Sequence, residues 1–158
     1  MLLDGVNHVA ILTNDTERLH EFYRSVFDAT IGREVEAGPG MRLSFVDIGI
    51  GRELNVFQID GNAEAQRQVP MFGRGRIDHL GLQAASLDAF HTIRNRLMAC
   101  GATDGFVTDF GSILSVFFTD PDGLEGEVCV ANPNAVPGVT NPPGTPAHGY
   151  EIGKPTDT

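Results

Sequence analysis

The chain repeats itself, and a histidine stands at the same place in both copies. Residues 6–11 read VNHVAI and residues 77–82 read IDHLGL, so His8 corresponds to His79 at an offset of 71 residues (79 minus 8). A chain that repeats on this scale builds two copies of one structural unit, which usually pack about a pseudo-twofold axis. The repeat therefore predicts two similar units whose equivalent side chains converge on that axis.

A second pair of segments extends the repeat. Residues 52–56 read RELNV and residues 126–130 read GEVCV, which aligns Glu53 with Glu127 at an offset of 74 residues (127 minus 53). Two imidazoles and two carboxylates that meet at one point form a donor set for a divalent metal ion. The repeat thus predicts a metal site as well as an architecture.

Hydrophobic periodicity and capping residues predict the elements of each unit. Alternating strands and apolar helical stripes give the order β-α-β-β-β in both units, which is an α+β fold. The strands are expected over residues 6–12, 41–48, 53–59, 77–83, 113–119 and 125–130. The helices are expected to follow Asp15 or Thr16 in the first unit and Ser86 in the second, and His20 and His91 on them are predicted to be surface or boundary residues.

Composition narrows the class of partner. The 11 basic and 21 acidic residues give a net charge of −10, which argues against nucleic acid as a ligand. The chain shows no basic signal-peptide start and no apolar run of membrane-spanning length, so no membrane span is predicted. Its two cysteines fit a reducing compartment. We expect a cytoplasmic protein.

The expected organisation is one domain followed by a tail. The domain covers residues 1–131 and consists of two modules, at about 5–60 and 76–131, joined by a linker at 61–75. Residues 132–158 are rich in proline and glycine, which predicts an extended or mobile C-terminal tail.

A turn motif gives the repeat a family context. Phe118 opens the sequence FTDPDGLEGEV, in which a glutamate, Glu127, follows the DPDG glycine by four residues. Paired βαβββ units, a histidine opening each unit and this F-x-D-P-D-G motif resemble the vicinal oxygen chelate superfamily over about residues 5–131. That superfamily contains glyoxalase I, methylmalonyl-CoA epimerase, fosfomycin resistance proteins, extradiol dioxygenases and bleomycin resistance proteins. The resemblance implies an eight-stranded, cup-shaped sheet around a central site.

The resemblance also implies a ligand set and a chemistry. His8, Glu53, His79 and Glu127 are expected to bind one divalent metal ion, which could be Zn, Ni, Co, Mn or Fe(II). Two vicinal oxygens of a substrate would chelate the open metal positions, and the metal would stabilise an enediolate-type intermediate as a Lewis acid. Glu127 is the expected proton-transfer base, with Glu53 as the alternate.

Four further residues are expected near this site. Asn55 lies two residues after Glu53 on the same strand face and competes with it for the fourth position. Phe57, Phe117 and Cys129 are expected to contact the substrate or to pack beside the ligands.

Three functions are compatible with this pattern. The leading expectation is a metal-dependent glyoxalase-like lyase or isomerase. An Fe(II) extradiol-type dioxygenase would use His8, His79 and Glu127 alone, although Phe117 stands where that branch usually has an acid/base tyrosine. A non-catalytic drug-binding protein of the bleomycin resistance type is the third. A homodimer is expected, and no motif places the arginines that would define the substrate.

Overall fold

Two similar arrangements of strands and a helix follow one another along the chain. The computed structural model describes residues 2, 5–67, 69–73 and 75–157. The first set of elements is β1 His8–Thr13, α1 Thr16–Phe27, β2 Thr30–Gly38, β3 Met41–Gly49, β4 Arg52–Ile59 and a short 3-10 helix Ala63–Gln66. The second set is β5 Leu80–Gln83, α2 Leu87–Ala99, β6 Val107–Asp109, β7 Ile113–Thr119 and β8 Glu125–Ala131.

The chain divides into two compact units. One consists of Met1–Gln68 with Pro121–Gly123, and the other of Val69–Asp120 with Leu124–Thr158. Each contains a four-stranded sheet, in the order β1-β4-β3-β2 in the first and β5-β8-β7-β6 in the second. The first strand of each sheet pairs in parallel with the last, and the remaining pairs are antiparallel. The predicted α+β class and the β-α-β-β-β order of both units are confirmed.

One helix packs on one face of each sheet, which leaves the other face for the candidate site. In α1 the apolar stripe buries Leu19 and Val26 almost completely, and Asp15 caps the helix by accepting a hydrogen bond from the backbone of Arg18 at 3.0 Å. Burial of an apolar side chain such as Leu19 or Val26 contributes about 1.5–3 kcal/mol to the free energy of unfolding. In α2, Ser86 is the N-cap and Phe90 is fully buried.

Two predicted strands begin later than expected. The first begins at His8 rather than residue 6, and the second begins at Leu80 rather than residue 77. Ile77 is 85% exposed, and pairing with β8 starts only at Leu80. His79 therefore precedes its strand by one residue. Strands β2 and β6 were not located from the sequence.

His20 is a core residue, and its predicted surface or boundary position is wrong. Its side chain is buried, and Nε2 lies 2.7 Å from Ser44 Oγ on β3, within hydrogen-bond distance. Burial lowers the pKa of His20, and the carboxylate of Glu34 opposes that effect. The hydroxyl of Ser44 satisfies a ring nitrogen that would otherwise be buried without a partner.

The C-terminal segment packs against α2. The guanidinium of Arg94, fully buried, donates to the backbone carbonyls of Gly105, Glu151 and Lys154. A buried guanidinium needs this set of acceptors because it remains charged. The segment is thus held by the helix. Within the described residues, no helix is long and apolar enough to cross a bilayer.

The burial of His20 predicts a pH dependence of stability. Because its folded-state pKa is lowered, the unfolded chain binds a proton below about pH 6.5 that the folded chain does not. The free energy of unfolding should therefore fall as the pH drops from 7 to 5, by at most about 1.4 kcal/mol per pH unit from this group. Chemical denaturation of wild type and His20→Gln measures it: the variant should show the shallower slope, and equal slopes would contradict the assignment.

The contacts of Arg94 predict that this side chain holds the C-terminal segment in place. Arg94→Ala removes the donors of several buried carbonyls, so the free energy of unfolding should fall by about 2–3 kcal/mol. Limited proteolysis should cut residues 135–157 faster in this variant. Arg96→Ala, on the same helix, is the matched control, and the protease should cleave it at the same rate as wild type. Equal cleavage in both variants would contradict the role of Arg94.

Candidate metal centre

The pairing of the first and last strands shows which residues of the two units are equivalent. Ala10 on β1 pairs with Asn55 on β4. Gly81 on β5, which corresponds to Ala10 at the offset of 71 residues, pairs with Glu127 on β8. The residue of the first unit that occupies the position of Glu127 is therefore Asn55.

The neighbouring strands give the same equivalence. Phe45 on β3 pairs with Asn55, and Phe117 on β7 pairs with Glu127. Glu53 pairs with His8 instead, one row away on the same face. The expected alignment of Glu53 with Glu127 thus differs from the one that the sheets make. Residues 52–56 (RELNV) can be aligned with residues 126–130 (GEVCV) at an offset of 74 or with residues 124–128 (LEGEV) at an offset of 72, and only pairing with the partner strands selects one.

His79 and Glu127 form a close pair in the second unit. Nε2 of His79 lies 3.3 Å from Oε2 of Glu127. The other ring nitrogen, Nδ1, donates to Oδ2 of Asp78 at 2.9 Å. The other carboxylate oxygen, Oε1, accepts a hydrogen bond from Ser115 Oγ at 2.5 Å. Asp78 therefore orients the ring of His79 and Ser115 orients the carboxylate of Glu127, so that Nε2 of the histidine and Oε2 of the glutamate face each other.

This arrangement fits a cation. With the proton on Nδ1, the lone pair of His79 Nε2 faces a carboxylate oxygen, and two acceptors at this distance repel each other unless a proton or a metal ion lies with them. A histidine that donates its second nitrogen to a carboxylate is a common arrangement in metal sites, where the carboxylate orients the ring and raises its basicity. The donor set, one imidazole nitrogen and one carboxylate oxygen, suits first-row divalent ions.

The first unit contains a similar half of a site. Nδ1 of His8 donates to Oδ1 of Asn7 at 2.8 Å, which leaves Nε2 available. Oδ1 of Asn55 is buried and has no hydrogen-bond partner among the described residues. A buried acceptor without a partner is costly, so this oxygen is suited to a metal ion or to a donor on a ligand. Glu53 is exposed.

The remaining expected residues line the same sheet faces. The ring of Phe117 packs edge-to-face on His79 with centroids 5.6 Å apart. Burial raises the pKa of Cys129 to about 12, and the nearby Glu127 carboxylate adds to the shift. The sulfur therefore stays a thiol, which packs beside the carboxylate. Phe57 is half-buried, two residues after Asn55 on the same strand face.

The expected ligands are brought together in pairs within their own units. His79 contacts Glu127, and His8 stands opposite Glu53 in the strand pairing. In the parts of the chain that the structure describes, no group of three or more His, Cys, Asp or Glu side chains is close enough to hold a metal ion.

Three supporting residues were missed from the sequence. Asn7 and Asp78 each hold Nδ1 of the histidine that follows, and Ser115 holds the carboxylate of Glu127. The signal for the first two was present in the repeat, because an Asn or Asp precedes the histidine in both copies. Ser115 gave no signal, because its role depends on the pairing of β7 with β8.

The supporting residues predict a specific loss of metal affinity. Asp78→Ala and Ser115→Ala should each weaken binding of a divalent metal by about 10–100-fold, because the ligand that each one orients becomes mobile. Calorimetric titration with Zn²⁺ measures the affinity. Asp88→Ala and Ser112→Ala are the controls, since both residues are exposed. Affinities that are equal in all four variants would contradict the orienting role.

Comparison with known proteins identifies the fold. A family model described as the Glyoxalase/Bleomycin resistance protein/Dioxygenase superfamily matches residues 5–128. No curated protein sequence matches the chain significantly.

Several solved structures are similar to this chain. A glyoxylase/bleomycin resistance protein/dioxygenase domain from Frankia sp. EAN1pec has 20% identity and a TM-score of 0.68, covering 84% of this chain and 95% of that chain. A glyoxalase family protein from Enterococcus faecalis has 22% identity and a TM-score of 0.58, covering 82% and 99%. A mutant of the fosfomycin resistance protein FosX from Listeria monocytogenes, complexed with Mn(II) and 1S,2S-dihydroxypropylphosphonic acid, has 16% identity and a TM-score of 0.60, covering 80% and 92%. At these identities the likeness shows the fold.

Proposed function

Because the chain belongs to the Glyoxalase/Bleomycin resistance protein/Dioxygenase superfamily, we propose that it is a metal-dependent lyase or isomerase. Its substrate is a small molecule with two vicinal oxygens. The observation that carries the proposal is the pair formed by His79 Nε2 and Glu127 Oε2, which face each other at 3.3 Å while their other polar atoms are held by Asp78 and Ser115. That pair is suited to share a cation.

The proposed ligands are His8, His79 and Glu127, with a fourth position contested by two residues of β4. The strand pairing favours Asn55, whose amide oxygen is buried without a partner among the described residues, over the exposed Glu53. Nitrogen and oxygen donors of this kind accept Zn, Ni, Co, Mn or Fe(II). The Mn(II) in the FosX structure supports a divalent ion.

The metal, when bound, would polarise the substrate oxygens as a Lewis acid. Glu127 is the proposed base, because Ser115 holds one carboxylate oxygen and leaves the other directed toward His79. Glu53 remains the alternate base. The rings of Phe57 and Phe117, on the same faces as these ligands, would exclude water and strengthen the electrostatic interactions of the site.

An Fe(II) extradiol-type dioxygenase is the second candidate, and the strand pairing is the observation that favours it. With Asn55 in the fourth position, the His and carboxylate ligands are two histidines and one carboxylate, which is the set of many non-haem iron oxygenases. The residue paired with Glu127 is Phe117, whose ring has no group that can transfer a proton. We therefore place this function second.

The proposed localisation, oligomeric state and class of ligand are those expected from the sequence. We propose a cytoplasmic homodimer that binds a small molecule. The neighbours of known structure include glyoxalase-family proteins and FosX, which supports a small-molecule substrate.

The ligand assignment predicts an order of effects on metal binding. Glu127→Ala should weaken divalent-metal binding by at least about 100-fold, because it removes a charged ligand. Asn55→Ala should weaken it by about tenfold, whereas Glu53→Gln should change it little. Glu125→Gln, two residues before Glu127 on the same strand face, is the matched control. The measurement is metal titration of the metal-free protein with Mn²⁺, Co²⁺, Ni²⁺, Zn²⁺ and Fe²⁺, and a stronger effect of Glu53→Gln than of Asn55→Ala would reverse the assignment of the fourth position.

Activity assays separate the two candidate functions. The metal-loaded protein should convert hemithioacetals or other 1,2-dioxygenated substrates without consuming oxygen. Oxygen uptake with catechols and Fe(II) would favour the dioxygenase instead. If the protein takes up no divalent metal, both candidate enzyme functions are contradicted and a non-catalytic drug-binding protein is favoured.

A further inference from the structure

An irregularity in β2 redirects an arginine toward the face that bears the proposed site. The pairing of β2 with β3 shifts register between Ile31 and Glu34, so Gly32 and Arg33 together stand opposite Phe45. An extra residue of this kind is a β-bulge, which changes the direction of the side chain that follows and is frequent beside active sites. The bulge places the guanidinium carbon of Arg33 over the Phe45 ring, 4.7 Å from its centroid.

The contact with Phe45 leaves the N–H groups of Arg33 available for hydrogen bonds. A guanidinium that contacts a ring through its central carbon still has its N–H groups in a planar fork, which matches a carboxylate or phosphonate. Arg33 is exposed and makes no ion pair with a carboxylate within the ranges that the structure describes. Arg18 and Arg42 of the same unit are, in contrast, paired with acids, in a chain with a net charge of −10.

The position of Arg33 relates it to the ligands of the first unit. Phe45 pairs with Asn55, and Asn55 pairs with Ala10, so the three strands carry these residues in one row. The next row contains His8 and Glu53. Arg33 therefore lies at one end of a row that passes through the proposed fourth ligand position.

The second unit has no counterpart of this arginine among the residues that the structure describes. Phe117 occupies the position of Phe45, but the pairing of β6 with β7 begins at Val107 opposite Val116 and includes no partner for Phe117. A cation beside only one of the two equivalent phenylalanines would break the symmetry of the repeat. It would therefore orient a substrate that has two different ends.

We infer that Arg33, held on the Phe45 ring, binds an oxyanion on the substrate, a carboxylate or a phosphonate, and that the substrate is therefore an acid. The inference rests on the proposed function only in placing the substrate on this face of the sheet. The acidic Glu53 and Asp47, which pair with each other in the next row, disfavour an anion there. The row that ends at Arg33 is therefore the more favourable position for the oxyanion of the substrate.

Three small probes test this assignment. Acetate and methylphosphonate present the two oxyanions, and acetamide has the size of acetate without its charge. Titration of ¹⁵N-labelled protein, with and without Zn²⁺, should show both anions shifting the Arg33 Nε–H and the Asn55 side-chain amide signals. Acetamide should leave them unchanged. The stronger of the two anions identifies the oxyanion class.

Variants make the test specific. Arg33→Gln should weaken anion binding by about tenfold or more, because charge-assisted hydrogen bonds are lost. The anion affinity of Arg33→Lys should lie between those of wild type and Arg33→Gln, since lysine keeps the charge without the planar fork. Arg67→Gln, which removes an exposed arginine paired with Glu64, is the matched control and should bind as wild type does. A well-dispersed spectrum shows that each variant is folded.

The outcomes separate this inference from the proposed function. Anion affinity that is the same in Arg33→Gln and wild type, or acetamide binding as strong as acetate binding, would overturn the inference. Metal uptake should be normal in Arg33→Gln, since the guanidinium is not a ligand. A wild-type protein that takes up no metal but still binds anions at Arg33 would uphold the inference and overturn the proposed function.

Discussion

The parallel pairing of the first and last strands determines which side chains can act together in each unit. Side chains alternate across a strand, so a shift of one residue would move a ligand to the opposite face, and a shift of two would move it to another row. In the second unit this pairing sets Gly81 opposite Glu127, and a Cβ at position 81 would lie 3.8 Å from Oε2 of Glu127. His79, two residues before Gly81, contacts the same carboxylate oxygen. In the first unit the same pairing sets Ala10 opposite Asn55. The small residues at 10 and 81 leave room for the polar side chains beside them.

The proposed ligands are similar in the two units but carry different charges. In each unit the residue before the histidine holds Nδ1, as Asn7 does for His8 and Asp78 for His79. The carboxylate of Glu127 in one unit corresponds to the amide of Asn55 in the other. A divalent ion with one anionic ligand keeps more net positive charge than an ion with two, so it attracts anionic oxygens more strongly. This electrostatic bias is consistent with a cationic Arg33 that has no carboxylate partner in the described part of the chain, since both favour an acid as the substrate.

The sequence was enough to predict the parts of the fold that depend on local pattern or on repetition. The order of elements in the two units, a helix cap at Asp15 or Thr16, the cap at Ser86 and strand β7 follow from repetition, periodicity and turn chemistry, whereas strands β2 and β6 were not located. The rest depends on pairings between distant residues. The sequence favoured Glu53 over Asn55 as the fourth ligand, because residues 52–56 resemble residues 126–130 as well as residues 124–128. The burial of His20 depends on Ser44, 24 residues away, and the order of the C-terminal segment depends on Arg94.

We propose that one divalent metal ion is bound by His8, His79, Glu127 and Asn55. A crystal structure of the protein soaked in Mn²⁺ or Zn²⁺, with anomalous data collected at the metal edge, tests it most directly. We predict one anomalous peak with Nε2 of His8, Nε2 of His79 and the Glu127 carboxylate at about 2.0–2.2 Å, and with Oδ1 of Asn55 directed at the ion. A peak bound through Glu53 in place of Asn55 would contradict the assignment of the fourth position. A fully soaked crystal with no peak at His79 and Glu127 would contradict the metal site itself.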